Sequence, residues 1–234
     1  MTARSAQDEA ATETVPVRKH RHRLKEPLWP PFLGMLAIGG LFSTLPPSLL
    51  GGAPRWLLVV IIICLTVPIL LLHYAGNHLT HQILGYILSS IVTVAMISSL
   101  ILMIMEVTAH VITPERLLGS AAALWISNIL VFASWYWRLD GGGPHERART
   151  EEHTDGAFLF PQMTMPPEMK RSAGEVDWAP RFVDYLFLAF NTSTAFSPTD
   201  VPVLSRWAKM LMMIQALISL VVIALLAGRA VNIL

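Results

Sequence analysis

The side chains in this chain best suited to chemistry are a run of hydroxyls ending on one carboxylate, and one amide in an apolar stretch. From Asn191 the sequence reads NTSTAFSPT and closes on Asp200. Thr192, Ser193, Thr194, Ser197 and Thr199 bring five hydroxyls, and Asp200 brings a negative charge. Oxygen ligands and rings of carboxylates are the means by which pores replace an ion's water and concentrate cations. Gln215 is the one strongly polar side chain in the middle of the last apolar run, with Ser219 one helical turn beyond it. An interhelical hydrogen bond and a pore-facing amide are both open readings of Gln215. Asn128 sits in another apolar run, where a hydrogen bond to a neighbouring helix is expected.

Three histidines, His73, His78 and His81, cluster around Asn77. His78 and His81 have i, i+3 spacing, but Asp, Glu and Cys are missing nearby, so they are weak metal candidates and read better as interfacial histidines or a mild pH sensor. No metal or other cofactor is expected. Glu106 closes an apolar run and reads as a headgroup-level residue. Nothing resembles a nucleophile elbow, a phosphate-cradling loop or an HExxH pair, so no catalytic set is assigned. Gly141-Gly142-Gly143 lacks a following lysine and reads as a hinge.

The elements that must position these groups follow from composition. Of 234 residues, 53% are hydrophobic and 14% charged, with mean hydropathy +0.53. Soluble domains carry about 25% charge. Ten of the 33 charged residues lie in Met1–Glu26 and thirteen in Asp140–Arg181, which leaves ten for about 165 residues. That distribution describes an integral membrane protein with two wet segments. It excludes a disordered chain, and the single cysteine, Cys64, excludes a disulfide scaffold. Cys64 lies in an apolar run and reads as a small packing residue. A net charge of +1 gives no reason to expect nucleic acid. The lipid bilayer is the expected partner.

A helix needs about 20 apolar residues to cross the hydrocarbon core. Trp56–Tyr74, Ile83–Met105, Leu117–Trp137 and Leu211–Gly228 meet that length, while Leu28–Leu50 is interrupted by Pro30, Pro31, Pro46 and Pro47. Tryptophans at many of the ends (Trp29, Trp56, Trp135, Trp137, Trp178, Trp207) form an aromatic belt. The expected organisation is a basic polar tail over 1–27, a four-helix region over 28–139, a Gly/Pro-rich polar loop over 140–181 and a terminal hairpin over 182–234. Within the loop, Ala157-Phe158-Leu159-Phe160-Pro161 is apolar enough to pack back on the membrane region.

Phe182–Phe190 spans only about 14 Å as a helix, half a bilayer. A half-helix, a polar return and a full span describe a re-entrant pore loop; a short interfacial helix with a surface turn is the plainer alternative. Asp184 at its start suits a helix N-terminus. The expected fold is thus all-α, with about five transmembrane helices and a re-entrant half-helix before the last. In that last helix Ala224 and Gly228 have small-xxx-small spacing. The cluster Arg18-Lys19-His20-Arg21-His22-Arg23 before the first span does not read as part of a signal peptide; a disordered cytoplasmic tail with a purely topological role is the plainer reading, and an anchor to anionic headgroups the alternative. Fourteen of 17 Lys and Arg then fall on the cytoplasmic side of a multi-pass protein of the cell membrane.

From Phe182-Val183-Asp184-Tyr185 through Arg206 and Lys209 to Ala227-Gly228-Arg229, the order of elements resembles the pore domain of potassium channels. The layout of spans, glycine-rich loop, Phe158-Leu159-Phe160-Pro161 and terminal hairpin is similar to a family of bacterial inner-membrane proteins labelled potassium-channel-like. The resemblance implies an oligomeric cation channel and ion transport, with a monovalent cation as the permeant species. It also implies that Thr192 to Asp200 act as the filter-like segment and that Gln215 and Ser219 lie on the pore-lining helix. Aligned on Asp200, however, the filter pattern TVGYGD falls on Ala195, Phe196, Ser197, Pro198, Thr199 and Asp200. Both glycines are replaced, and Pro198 fixes φ, so the usual carbonyl filter is not expected. A wider pore lined by hydroxyls and ringed by Asp200 stays open, as does a closed plug. A non-conducting membrane module that binds a partner is the alternative function. Potassium channels insert the pore loop from outside, whereas the positive-inside count puts this one on the cytoplasmic side; five spans with the N-terminus inside is the preferred arrangement.

Overall fold

Prolines set many of the helix boundaries in the computed structural model, which describes residues 29–74, 78–109, 113–149, 156–176, 178–194 and 201–230. Helix α1 (Trp29–Thr44) has Pro30 and Pro31 in its first turn, where a missing N–H costs nothing. It stops ahead of Pro46-Pro47, and a 3-10 turn at Pro47–Leu50 leads on to α2 (Leu57–Tyr74), which holds Pro68 inside it. The long helices α3 (His78–Thr108) and α4 (Pro114–Leu139) follow. Three short helices, α5 (Pro144–Arg149), α6 (Pro161–Thr164) and α7 (Pro167–Ser172), each begin at a proline. The chain ends with α8 (Phe182–Thr194) and α9 (Arg206–Ala230).

The described secondary structure is helical apart from one antiparallel bridge between Phe158 and Val203. Among the described residues, three helices are long and apolar enough to cross a membrane: Leu79–Thr108, Pro114–Gly142 and Arg206–Gly228. Leu57–Leu72 is also apolar but shorter. The all-helical membrane class read from composition therefore holds.

Helix α4 is the centre of the packing and touches α1, α3, α8 and α9. Its sequence explains why: Ser120, Ala121, Ala123, Ser127, Ala133 and Ser134 are small and buried, so neighbouring backbones can approach on several sides. Helix α2 packs on α1 and α3. Helices α3 and α9 turn apolar side chains outward, with Val94, Ile101 and Met105 on one and Met210, Met213 and Leu217 on the other. Cys64 also faces outward on α2, so the expectation that it is a packing residue is corrected.

Helix α8 runs antiparallel to α4 along half of its length. At its start the Phe182 ring meets Trp137 at 6.2 Å, and near its end the Phe190 ring meets Trp125 at the same separation. Its 13 residues amount to about 20 Å. The far half of α4 extends past it.

The loop after α4 is more ordered than its composition suggests. Gly141, Gly142 and Gly143 have φ of 54°, 75° and 93°, and the Gly143 amide donates to the Asp140 carbonyl at 2.9 Å. Successive positive φ values favour glycine, so the triple glycine is a fixed left-handed turn and not the expected hinge. The apolar patch does fold back: Ala157, Phe158 and Phe160 are buried.

Candidate functional site

Two connected groups of side chains fix the terminal hairpin. The first centres on Gln215. Its Nε2 donates to the Ala189 carbonyl at 2.7 Å and to Ser193 Oγ at 2.8 Å, while its Oε1 accepts from the Tyr136 hydroxyl at 2.5 Å. One amide thereby ties α9 to both α8 and α4. Asn128 adds a second tie, with Nδ2 donating to the Gln215 carbonyl at 3.2 Å and to Ser219 Oγ at 2.8 Å. Asn128, Tyr136, Ser193, Gln215 and Ser219 are all fully buried.

The spacings make this junction possible. Residues four apart lie on one helix face, and each helix brings such a set: Ala189 and Ser193 on α8, Gln215 and Ser219 on α9. Asn128 and Tyr136 are eight apart on α4, with Phe132 between them. A glutamine amide has two N–H donors and a carbonyl acceptor, and all three functions are engaged here. In lipid, where water cannot supply a missing partner, such pairs average about 0.6 kcal/mol and reach about 1.7.

The expected pore-lining residues thus stand in different places. Gln215 and Ser219 face α4 and α8 within one chain. Of the hydroxyls that open the expected filter-like segment, Ser193 bonds across to α9, whereas Thr192 Oγ1 donates back to the Leu188 carbonyl at 2.8 Å and Thr194 Oγ1 to the Phe190 carbonyl at 2.9 Å. Ala195, Phe196, Ser197, Pro198, Thr199 and Asp200 lie outside the described residues. The side chains of His73 and His78 are also outside them, while His81 is half-buried, and no group of metal-ligating side chains is found among the described residues. Ala224 and Gly228 both face outward, so their small-xxx-small pair packs no helix of the same chain.

The second group lies where α4, α8 and the long loop meet. Asp140 is fully buried, its Oδ2 accepting from the Tyr185 hydroxyl at 2.6 Å and its Oδ1 from the Ala157 amide at 2.5 Å. Arg147 Nη1 donates to the carbonyls of Trp137 and Asp140, both at 2.7 Å, with its guanidinium 5.1 Å from the centre of the Tyr185 ring. Phe158 stands edge-on to Tyr136, Tyr185 and Trp207 at 5.3, 6.2 and 6.1 Å. Phe160 adds contacts to Tyr185 and Trp178.

Backbone pairing completes this node. The Leu159 amide donates to the Pro202 carbonyl at 2.9 Å and the Leu204 amide to the Ala157 carbonyl at 2.8 Å. Both flanks of 195–200 are therefore held, one by Gln215 gripping the end of α8 and the other by this short ladder. Asp184 accepts at Oδ2 from the Arg181 amide at 2.7 Å, as expected at a helix start, and partial burial pushes its carboxyl above the usual aspartate range.

Sequence reasoning singled out Asn128 and Gln215 but missed Tyr136, Asp140, Arg147 and Tyr185. A weak signal existed for Tyr136, which repeats the Asn128 face two turns later. Asp140 gave none, since an aspartate before three glycines reads as solvent-exposed turn. No family model matches this chain, and no curated protein or solved structure matches it.

Proposed function

We propose that this chain is a subunit of an oligomeric cation channel in which residues 195–200 of several copies surround the ion path. The observation that carries the reading is the grip of Gln215 on Ala189 and Ser193, which fastens the end of a half-length helix to a full-length one. On this reading α8 is re-entrant, α1 and α2 complete a five-span arrangement, and the N-terminus is cytoplasmic. The last carbonyls of a helix carry a partial negative charge, and those of α8 lead straight into 195–200. Ser197 and Thr199 hydroxyls with a ring of Asp200 carboxylates then supply the polar lining, without a glycine-based carbonyl filter. Gln215 and Ser219 position the hairpin and do not line the path. The outward apolar face of α9, at Met210, Met213 and Leu217, supplies contact between copies.

A non-conducting membrane module is the second reading, favoured by the way Thr192, Ser193, Thr194 and Gln215 satisfy their hydrogen bonds inside one chain. Purified protein in liposomes separates the two. A channel gives cation flux that Asp200→Asn reduces, from a protein that is oligomeric in detergent. A monomer without flux supports the module.

A further inference from the structure

Arg138 occupies an unusual position for an arginine. It lies in the last turn of α4, is only 6% exposed, and its Nε has no hydrogen-bond partner among the described residues. The side chain reaches α3 at Gly85, where a methyl group would collide with Nη1 and stand 2.8 Å from Cζ. The guanidinium also lies 5.5 Å from the centre of the Trp137 ring. A glycine on α3 thus makes room for a cation that the rest of the packing leaves under-satisfied.

That cation borders a cavity of about 240 Å³ between the ends of α3 and α4. Its walls include His81, Gln82, Tyr86, Gly142 and Glu146 beside Arg138. Gln82 Nε2 donates to the Tyr86 hydroxyl at 3.0 Å and, at 3.4 Å, to the Gly142 carbonyl. Tyr86 stacks on Trp135 at 6.2 Å and 12°. The polar edge of the cavity is therefore held in place by rigid aromatic neighbours. Glu146, the one carboxylate among the described residues of the wall, is exposed, whereas Arg138 is buried.

Burying a cation without partners is costly. The contact with the Trp137 ring and the C-terminus of α4 each offset part of that cost. A bound oxyanion offsets far more. Arginine's planar fork matches the oxygens of a phosphate in pairs, and basic pockets between transmembrane helices take anionic headgroups. The cavity exceeds the size of a phosphate group and falls below that of a typical drug-sized site.

We propose that this cavity is a phosphate-binding site, with Arg138 as the anion ligand and Gln82 and Tyr86 as its polar wall. A phosphate monoanion reaches it either as a phospholipid headgroup or as a free ion. The cavity lies where α3 begins and α4 ends, at the ends of two helices long enough to cross a membrane, which is the depth of the headgroups.

Two probes on the purified full chain distinguish the sources. Native mass spectrometry in mixed micelles reads retention of phosphatidylglycerol against phosphatidylcholine, and titration with inorganic phosphate against chloride reads the free ion. Retention of phosphatidylglycerol assigns a headgroup site, and saturable binding of inorganic phosphate alone assigns a soluble-anion site. In either case Arg138→Lys, which keeps the charge and loses the fork, weakens binding about tenfold. Gly85→Ala, which evicts the guanidinium while leaving Arg138 in the chain, does the same and serves where the arginine variant fails to fold. Absence of binding by both probes, or wild-type binding in both variants, overturns the site.

Discussion

The amide nitrogen of Gln215 stands 2.8 Å from the hydroxyl of Ser193, and the two are 22 residues apart in the chain. This bond spans the stretch on which the channel reading depends. It also fixes how far α8 can rotate, because the same nitrogen holds the Ala189 carbonyl one turn earlier.

Replacing Gln215 with leucine keeps the volume and removes all three amide contacts. The Tyr136 and Ser193 hydroxyls are then buried without their partner, and an unsatisfied buried polar group costs about 1–3 kcal/mol. A loss of about 2 kcal/mol in unfolding free energy is expected, read by denaturant titration in detergent micelles. Stability equal to wild type would remove the amide as the clasp of the hairpin.

Tyr136→Phe deletes one hydroxyl and keeps the ring against Phe158. The expected cost is about 1 kcal/mol in the wild-type background. In a Gln215→Leu background it falls towards zero, because the partner is already gone. Equal costs in the two backgrounds would show that the 2.5 Å contact carries no coupling.

Asp140→Asn puts an N–H donor where a carboxylate oxygen now accepts from either Tyr185 or the Ala157 amide. The loop should detach before the helices do. Chymotrypsin then cuts after Phe158, which the wild type keeps buried, at a rate raised about tenfold for each 1.4 kcal/mol of lost local stability. A cleavage pattern identical to wild type counts against Asp140 as the anchor.

Gly143→Ala tests the turn. At φ 93° an alanine is strained, and its methyl would stand 3.0 Å from the Arg138 carbonyl. A destabilisation of about 1–3 kcal/mol is expected, visible as a lower melting temperature. Gly119→Ala, inside α4 with open space around the new methyl, serves as the control and leaves the melting temperature unchanged or raised.

Much of the class was legible in the sequence, because lipid imposes length and apolarity on a spanning helix. Gln215 and Asn128 stood out for the same reason, as polar residues in runs that otherwise exclude them. Their meeting did not, since a bond between residues 87 positions apart depends on which helices become neighbours. Asp140 was read as part of a wet loop because Gly and Pro composition speaks for local conformation only. Its carboxylate is engaged by the Tyr185 hydroxyl from α8 and the Ala157 amide from the loop, which is a tertiary event. The triple glycine misled in the same way: flexible by composition, it is fixed by the amide of Gly143 on the Asp140 carbonyl.

The clasp also sets an order of events during synthesis. Tyr136 is made 79 residues before Gln215. At about 5–20 residues per second, that interval lasts about 4–16 s. Throughout it, α4 is inserted with a tyrosine whose eventual acceptor does not yet exist, and α8 follows in the same condition at Ser193. The hairpin is therefore sealed from its last-made end. A chain halted anywhere before residue 215 leaves both hydroxyls without the amide that engages them in the finished fold.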